Sequence, residues 1–231
     1  MDDLKLARPV PTAQRPLLGL TVLVVEDSRF ASEAVRLLCL RSGARIRRAD
    51  SVRSAARHFA TYRPEVAIVD LGLPDGSGLT LIERMAAASE PPDVILATTG
   101  LDRTEAEAAA RAAGAHGMLA KPIESLAVFQ QAILQHLDAD RRPMGLRAVP
   151  TERVTPDPFA LQEDLALAER MLMDDGVAPG FVTGFLQGLA RSGRDADLLE
   201  QTERLRDGQP DLRAQLRDLI AARRSGTSHA I

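Results

Sequence analysis

Asp70 closes the apolar run AIVD (67–70) and is followed by LGLPDGSG, a turn built from Pro74, Asp75 and three glycines. A carboxylate at the tip of an apolar strand is costly unless a cation, a metal ion or a proton compensates it. Polar and charged groups stand at equivalent places elsewhere. Glu26 and Asp27 follow the run TVLVV, Thr99 and Gly100 end the run DVILATTG, and Lys121 and Pro122 follow GMLA. Clustered carboxylates repel one another, and Mg²⁺, which takes a few oxygen ligands and keeps several waters, suits such a set. Zinc does not, because no Cys or His joins it. The chain holds only two lysines, Lys5 and Lys121, and otherwise uses Arg, so a lysine at a strand end points to a need for a compact ammonium.

The elements that must position these residues alternate between strand-like and helix-like segments from Leu20 onward. TVLVVE (21–26), EVAIVD (65–70) and DVILATT (93–99) read as strands buried on both faces, with ARIRRA (44–49) a poor strand on propensity and HGMLAKP a short one. Between them lie helical segments with Ser caps and glycine stops, closing with one long helix through IESLAVFQQAILQHLDAD. Five strand–helix repeats in about 120 residues give an α/β fold with a doubly wound, five-stranded parallel sheet, whose ligands bind beyond the carboxyl ends of the strands.

The motifs VVEDS, VDLGLPDGSG, TTG and AKP, in this order and spacing, resemble the receiver domain of bacterial two-component response regulators over residues 20–140. The resemblance implies a flavodoxin-like fold in which Asp70 accepts a phosphoryl group from a phosphohistidine on a sensor histidine kinase or phosphotransfer protein. It also implies Mg²⁺ held by Asp27, Glu26, Asp70 and the Gly72 carbonyl, and a phosphoryl oxygen contacted by Lys121 and by the hydroxyl of Thr99. Thr98 is the alternative hydroxyl; counting back from Lys121, and the small Gly100 that follows, favour Thr99. The Lys121–Pro122 bond would be cis. Such a chain is a phosphoacceptor with self-directed phosphotransfer and dephosphorylation, not an enzyme with a separate substrate. Many receivers carry an aromatic residue three positions before the lysine, where this sequence has Met118.

The remaining features bound the rest. Residues 1–18 read as a flexible leader, 19–140 as the receiver, 141–157 as a proline-rich linker, and 158–231 as a smaller all-α output or interaction region. A net charge of −3, no apolar window of membrane-span length and a lone Cys39 in an apolar context fit a cytoplasmic protein without a membrane or polyanion as default partner. Residues 143–231 carry 11 Arg against 14 acidic residues, and the best helix-turn-helix candidate opens its second helix with Asp195 and Asp197. Carboxylates there would face phosphates, so DNA is disfavoured. The expected partner is a protein of unknown identity, or a second copy of the chain. Gly180, Gly184 and Gly188 recur every four residues, which suggests a helix face closely approached by another helix, or else a marginal helix.

Overall fold

The computed structural model describes residues 9–100, 103–145, 148, 150–205 and 211–227. Its first part runs β1 (Thr21–Val25), α1 (Arg29–Ser42), β2 (Arg45–Ala49), α2 (Val52–Thr61), β3 (Val66–Asp70), β4 (Gly72–Leu73), β5 (Gly76–Ser77), α3 (Gly78–Ala86), β6 (Val94–Thr99), α4 (Arg103–Ala112), β7 (Gly117–Ala120) and α5 (Leu126–Leu134). The main sheet is wholly parallel in the order β2-β1-β3-β6-β7, while β4 and β5 form a two-residue antiparallel ladder inside the turn after Asp70. The chain leaves β1 for one edge, then returns past it to β3. The strand order therefore reverses between β1 and β3, where Asp27 and Asp70 emerge.

The apolar runs explain the layers. Val22, Val24, Val66 and Ile68 point to one face of the sheet, where α1 and α5 cover them with Val35, Leu38, Phe129 and Ile133. Leu23, Val25, Ala67 and Val69 point to the other, under α2, α3 and α4. Burial on both sides is what a continuous apolar strand requires. The arginine-rich β2 pairs in register with β1 over five residues because it lies at the sheet edge, where only Ile46 and Ala49 must face inward. Charges on an edge strand also hinder pairing with a second chain. Ser28, Ser51, Ser77 and Ser125 cap α1, α2, α3 and α5 by accepting backbone N–H bonds, and α1 stops at Gly43, whose φ of 84° is left-handed.

Three expectations change here. The leader is not loose throughout: Leu17 is fully buried against the α1–α5 layer and its N–H bonds the Ser42 carbonyl at 2.9 Å, while the first eight residues of that segment lie outside the described residues. The helix expected to run on to Asp140 ends at Leu134. Arg142 takes the carbonyls of Gln135 and Leu137, so the chain turns there and buries Leu137. The linker is anchored as well. Leu126 N–H bonds the Glu152 carbonyl, Val154 N–H bonds the Glu124 carbonyl, and Val154 itself joins the α1–α5 core.

Beyond the linker stand α6 (Pro158–Met173), α7 (Pro179–Gly193), α8 (Ala196–Arg204) and α9 (Leu212–Thr227). Leu165, Leu172, Val182, Leu186, Leu216 and Ile220 build their common core, and Phe30 of α1 enters the same cluster. The helices are thus packed on the receiver through α1.

Gly78 is fixed by close approach, since a Cβ there would lie 2.0 Å from the Asp70 carbonyl oxygen. Gly78→Ala is expected to cost about 2 kcal/mol or more, the range of an overpacked site, read from the urea midpoint. Burial also pushes the Cys39 thiol up to about 12. At pH 8 a disulfide thiol reagent should therefore label the urea-unfolded chain readily and the native chain hardly at all.

Candidate functional site

Four strand ends converge. Asp70 is the last residue of β3, Glu26 and Asp27 directly follow β1, Thr99 ends β6, and Lys121 follows β7. Lys121 Nζ lies 2.8 Å from Glu26 Oε2 and 2.9 Å from Asp70 Oδ2, with all three side chains at least nine-tenths buried. The Lys121–Pro122 peptide is cis. The carboxylates of Glu26, Asp27 and Asp70 each offer an oxygen within 4.8 Å of the others. Gly72 lines the same cavity, and its N–H reaches Asp70 Oδ1 at 3.5 Å. Thr99 lines that cavity too, whereas Thr98, its hydroxyl buried and without a partner among the described residues, does not. Met118 is half-buried against the α2–α4 layer.

The electrostatics explain why so polar a group can sit here. Burial pulls the Lys121 ammonium toward neutrality, but Glu26 and Asp70 beside it outweigh burial and hold its pKa above the ordinary lysine value. Burial pushes the carboxyl of Glu26 up, with Lys121 opposing and Asp70 adding to the rise. Burial does the same to Asp27, where Asp70 is the main repulsive neighbour. One ammonium cannot balance three carboxylates. Asp27 Oδ2 is buried without a hydrogen-bond partner among the described residues, an orphaned acceptor facing two other carboxylates. An all-oxygen set with an excess of negative charge fits a hard divalent cation.

Two groups whose place beside the site the sequence did not show adjoin it. Asp164 of α6, fully buried, accepts the Ser28 hydroxyl at 2.8 Å, the Arg29 N–H at 2.9 Å and the Phe30 N–H at 3.0 Å. It satisfies the first turn of α1, immediately after Asp27. The signal available was a carboxylate on the apolar stripe of Leu161, Leu165, Ala168 and Leu172. The second group is the glycine face of α7. It does not meet another helix: Gly180, Gly184 and Gly188 line the cavity that holds Asp70 and Lys121. α7 is a continuous helix, and its backbone comes close to the loop after β6, where a Cβ on Gly100 would lie 3.0 Å from the Gly188 Cα.

Residues 22–133 match the family model described as the response regulator receiver domain. These residues form a receiver domain of the response regulator family. The chain is 30% identical over 156 residues to the virulence transcriptional regulatory protein PhoP of Shigella flexneri, covering 67% of this chain and 65% of that protein. To the protein of the same name from Salmonella typhimurium it is 32% identical over 116 residues, covering 49% and 51%. The chain therefore spans between half and two thirds of the length of these relatives. A putative response regulator from Chloroflexus aurantiacus is 32% identical, with a TM-score of 0.43, over 45% of this chain and 85% of that one.

Removing the ammonium tests the balance. Lys121→Met leaves Glu26 and Asp70 buried without their cation and should cost about 3 kcal/mol at pH 7, measured by urea unfolding. Since burial already raises the folded-state pKa of Glu26, acid protonates it before an exposed glutamate; the deficit should be smallest at low pH and grow as pH rises through the Glu26 transition.

Proposed function

We propose that Asp70 is the phosphoacceptor of a phosphorelay, receiving its phosphoryl group from a sensor histidine kinase or a phosphotransfer protein. The observation that carries this reading is the buried contact of Lys121 with both Glu26 and Asp70, beside an orphaned Asp27 oxygen. Asp70 Oδ2 is held by Lys121, which leaves Oδ1, with only the long Gly72 N–H contact, as the less engaged oxygen. A lone pair of that oxygen attacks phosphorus, the phosphorus–nitrogen bond of the donor breaks, and its electron pair returns to the imidazole. The product is an aspartyl acyl phosphate. Water later attacks the same phosphorus, releasing inorganic phosphate and restoring Asp70.

Each residue has a part that its position supports. β3 is rigid and buried on both faces, so Asp70 is presented with little freedom to lose. Lys121 offers a positive point charge to an oxygen of the transferred group, and Thr99 a hydroxyl from the neighbouring strand tip. Asp27, Glu26, Asp70 and the Gly72 carbonyl would hold Mg²⁺. Bound there, the ion supplies compensation for negative charge on the transferring phosphoryl oxygens. The chain has no separate substrate in this reading; its chemistry is its own phosphorylation and dephosphorylation.

The helical region is proposed to carry the output through protein contacts, with a homodimer as one form. Asp195 and Asp197 at the start of α8 are paired internally with Arg223, and Asp195 also caps that helix. A cytoplasmic site of action goes with this reading, and among the described residues no helix is long and apolar enough to cross a membrane. The names of the relatives favour a second reading, DNA-binding control, in which the full chain would show salt-dependent retardation of duplex DNA.

Incubation with acetyl phosphate and Mg²⁺ should add one phosphoryl group per chain, acid-stable and base-labile, as seen by intact mass. Asp70→Asn should abolish the adduct, and EDTA should suppress it. A chain that gains no mass, or gains it equally in Asp70→Asn, would exclude Asp70 as acceptor. Mg²⁺ alone should raise the melting temperature of the wild-type chain, and Asp27→Asn should lose most of that rise.

A further inference from the structure

At Gly184 and Gly188 the face of α7 is bare without a packed neighbour to require it. A Cβ built on Gly184 or Gly188 meets nothing within 4 Å, so neither residue is glycine for the sake of a close neighbour. Each interior glycine nevertheless costs a helix about 1 kcal/mol relative to alanine. What these positions face is a cavity of about 170 Å³ whose floor is Asp70, Lys121 and Asp27 and whose roof is α7. One water needs only about 15 Å³ of such space, so the cavity exceeds that by about tenfold. A phosphoryl group and a hydrated cation are a handful of atoms and fit. A second helix, roughly 10 Å across, does not.

A way in remains from the side. A cleft of about 1030 Å³ between α6 and the receiver shares Glu26 and Asp27 with the roofed cavity, and five further carboxylates line it beside Arg29, Arg48 and Arg170. The docked arrangement is held by Asp164 on the α1 N-terminus, by Phe30 in the core of the helical region, and by the Arg194–Glu124 pair at 2.6 Å.

We propose that α7 is a resident roof over the phosphoacceptor, bare along its glycine face so that Asp70 can be phosphorylated by a small anionic phosphodonor while the helical region stays docked. The inference rests on Asp70 being the phosphoacceptor and adds which donor the docked state admits. The step is the one already balanced, with the donor's phosphorus–oxygen bond breaking and its electron pair leaving with the acetate of acetyl phosphate.

The test fills the chamber. Gly184→Leu replaces a costly helical glycine with a strong helix former, so folding is favoured, and the side chain enters the open space. In the full chain, labelling by acetyl phosphate and Mg²⁺ should slow by at least about tenfold. Adding Asp164→Ala leaves the Ser28, Arg29 and Phe30 donors without their buried acceptor and favours release of α6 and α7 from α1; the double variant should recover labelling to within about threefold of Asp164→Ala alone. Gly184→Leu labelled at the wild-type rate would overturn the roof and leave the phosphoacceptor intact. A double variant that keeps native circular dichroism but stays unlabelled, where Asp164→Ala alone is labelled, would overturn it as well. A wild-type chain that takes no label, with Asp164→Ala equally inert, would remove the acceptor reading and the roof together.

Discussion

The structure turns on repulsion among three carboxylates brought together at the tips of buried strands. Lys121 holds two of them, Glu26 and Asp70, in a place that water scarcely reaches. Removing solvent strengthens the attraction and the repulsion alike, so the arrangement is tolerable only because the ammonium bridges rather than pairs. The parallel sheet is the device that produces this. Its strands are apolar along their length because both faces are covered, and polar only where they run out, so charge is delivered to one edge. The reversal of strand order between β1 and β3 then leaves a crevice at that edge.

The helical region is coupled to this edge through α1. The cap of α1, Ser28, directly follows Asp27, and the amides of the first turn are satisfied in part from α6 by Asp164. A change in how Asp27 is charged or ligated therefore acts on a backbone segment whose hydrogen bonds belong to the other half of the chain. Phe30, two residues further on, is buried in the core of the helical region and not in that of the sheet. Site and helices share residues 27–30, which is a short path for a two-state element that both would bias.

How much of this could be read from the sequence follows from the range of the interactions. The sheet strands, their capped helices and the convergence of Glu26, Asp27, Asp70, Thr99 and Lys121 were legible because apolar runs and strand ends are local patterns that a topology rule assembles. The strand over Arg45–Ala49 was the weakest on propensity, and its edge position explains why it forms nonetheless. The end of α5 was not legible, because Arg142 stops it from eight residues beyond Leu134. Nor was the use of Asp164 or of the α7 glycines, since both depend on how the helical region meets the receiver. The glycine spacing gave notice of a special face, but the sequence could not say that the face looks onto a cavity and not onto a helix.

The anchoring of Val154 has a mechanical consequence. Only residues 155–157 lie between that buried side chain and the start of α6, and Pro156 stiffens them. At roughly 3.5 Å per residue the tether spans on the order of 10 Å. Helices that lift from the receiver thus remain beside it at an effective concentration in the millimolar range or above, and a soluble competitor for the same face must match that figure.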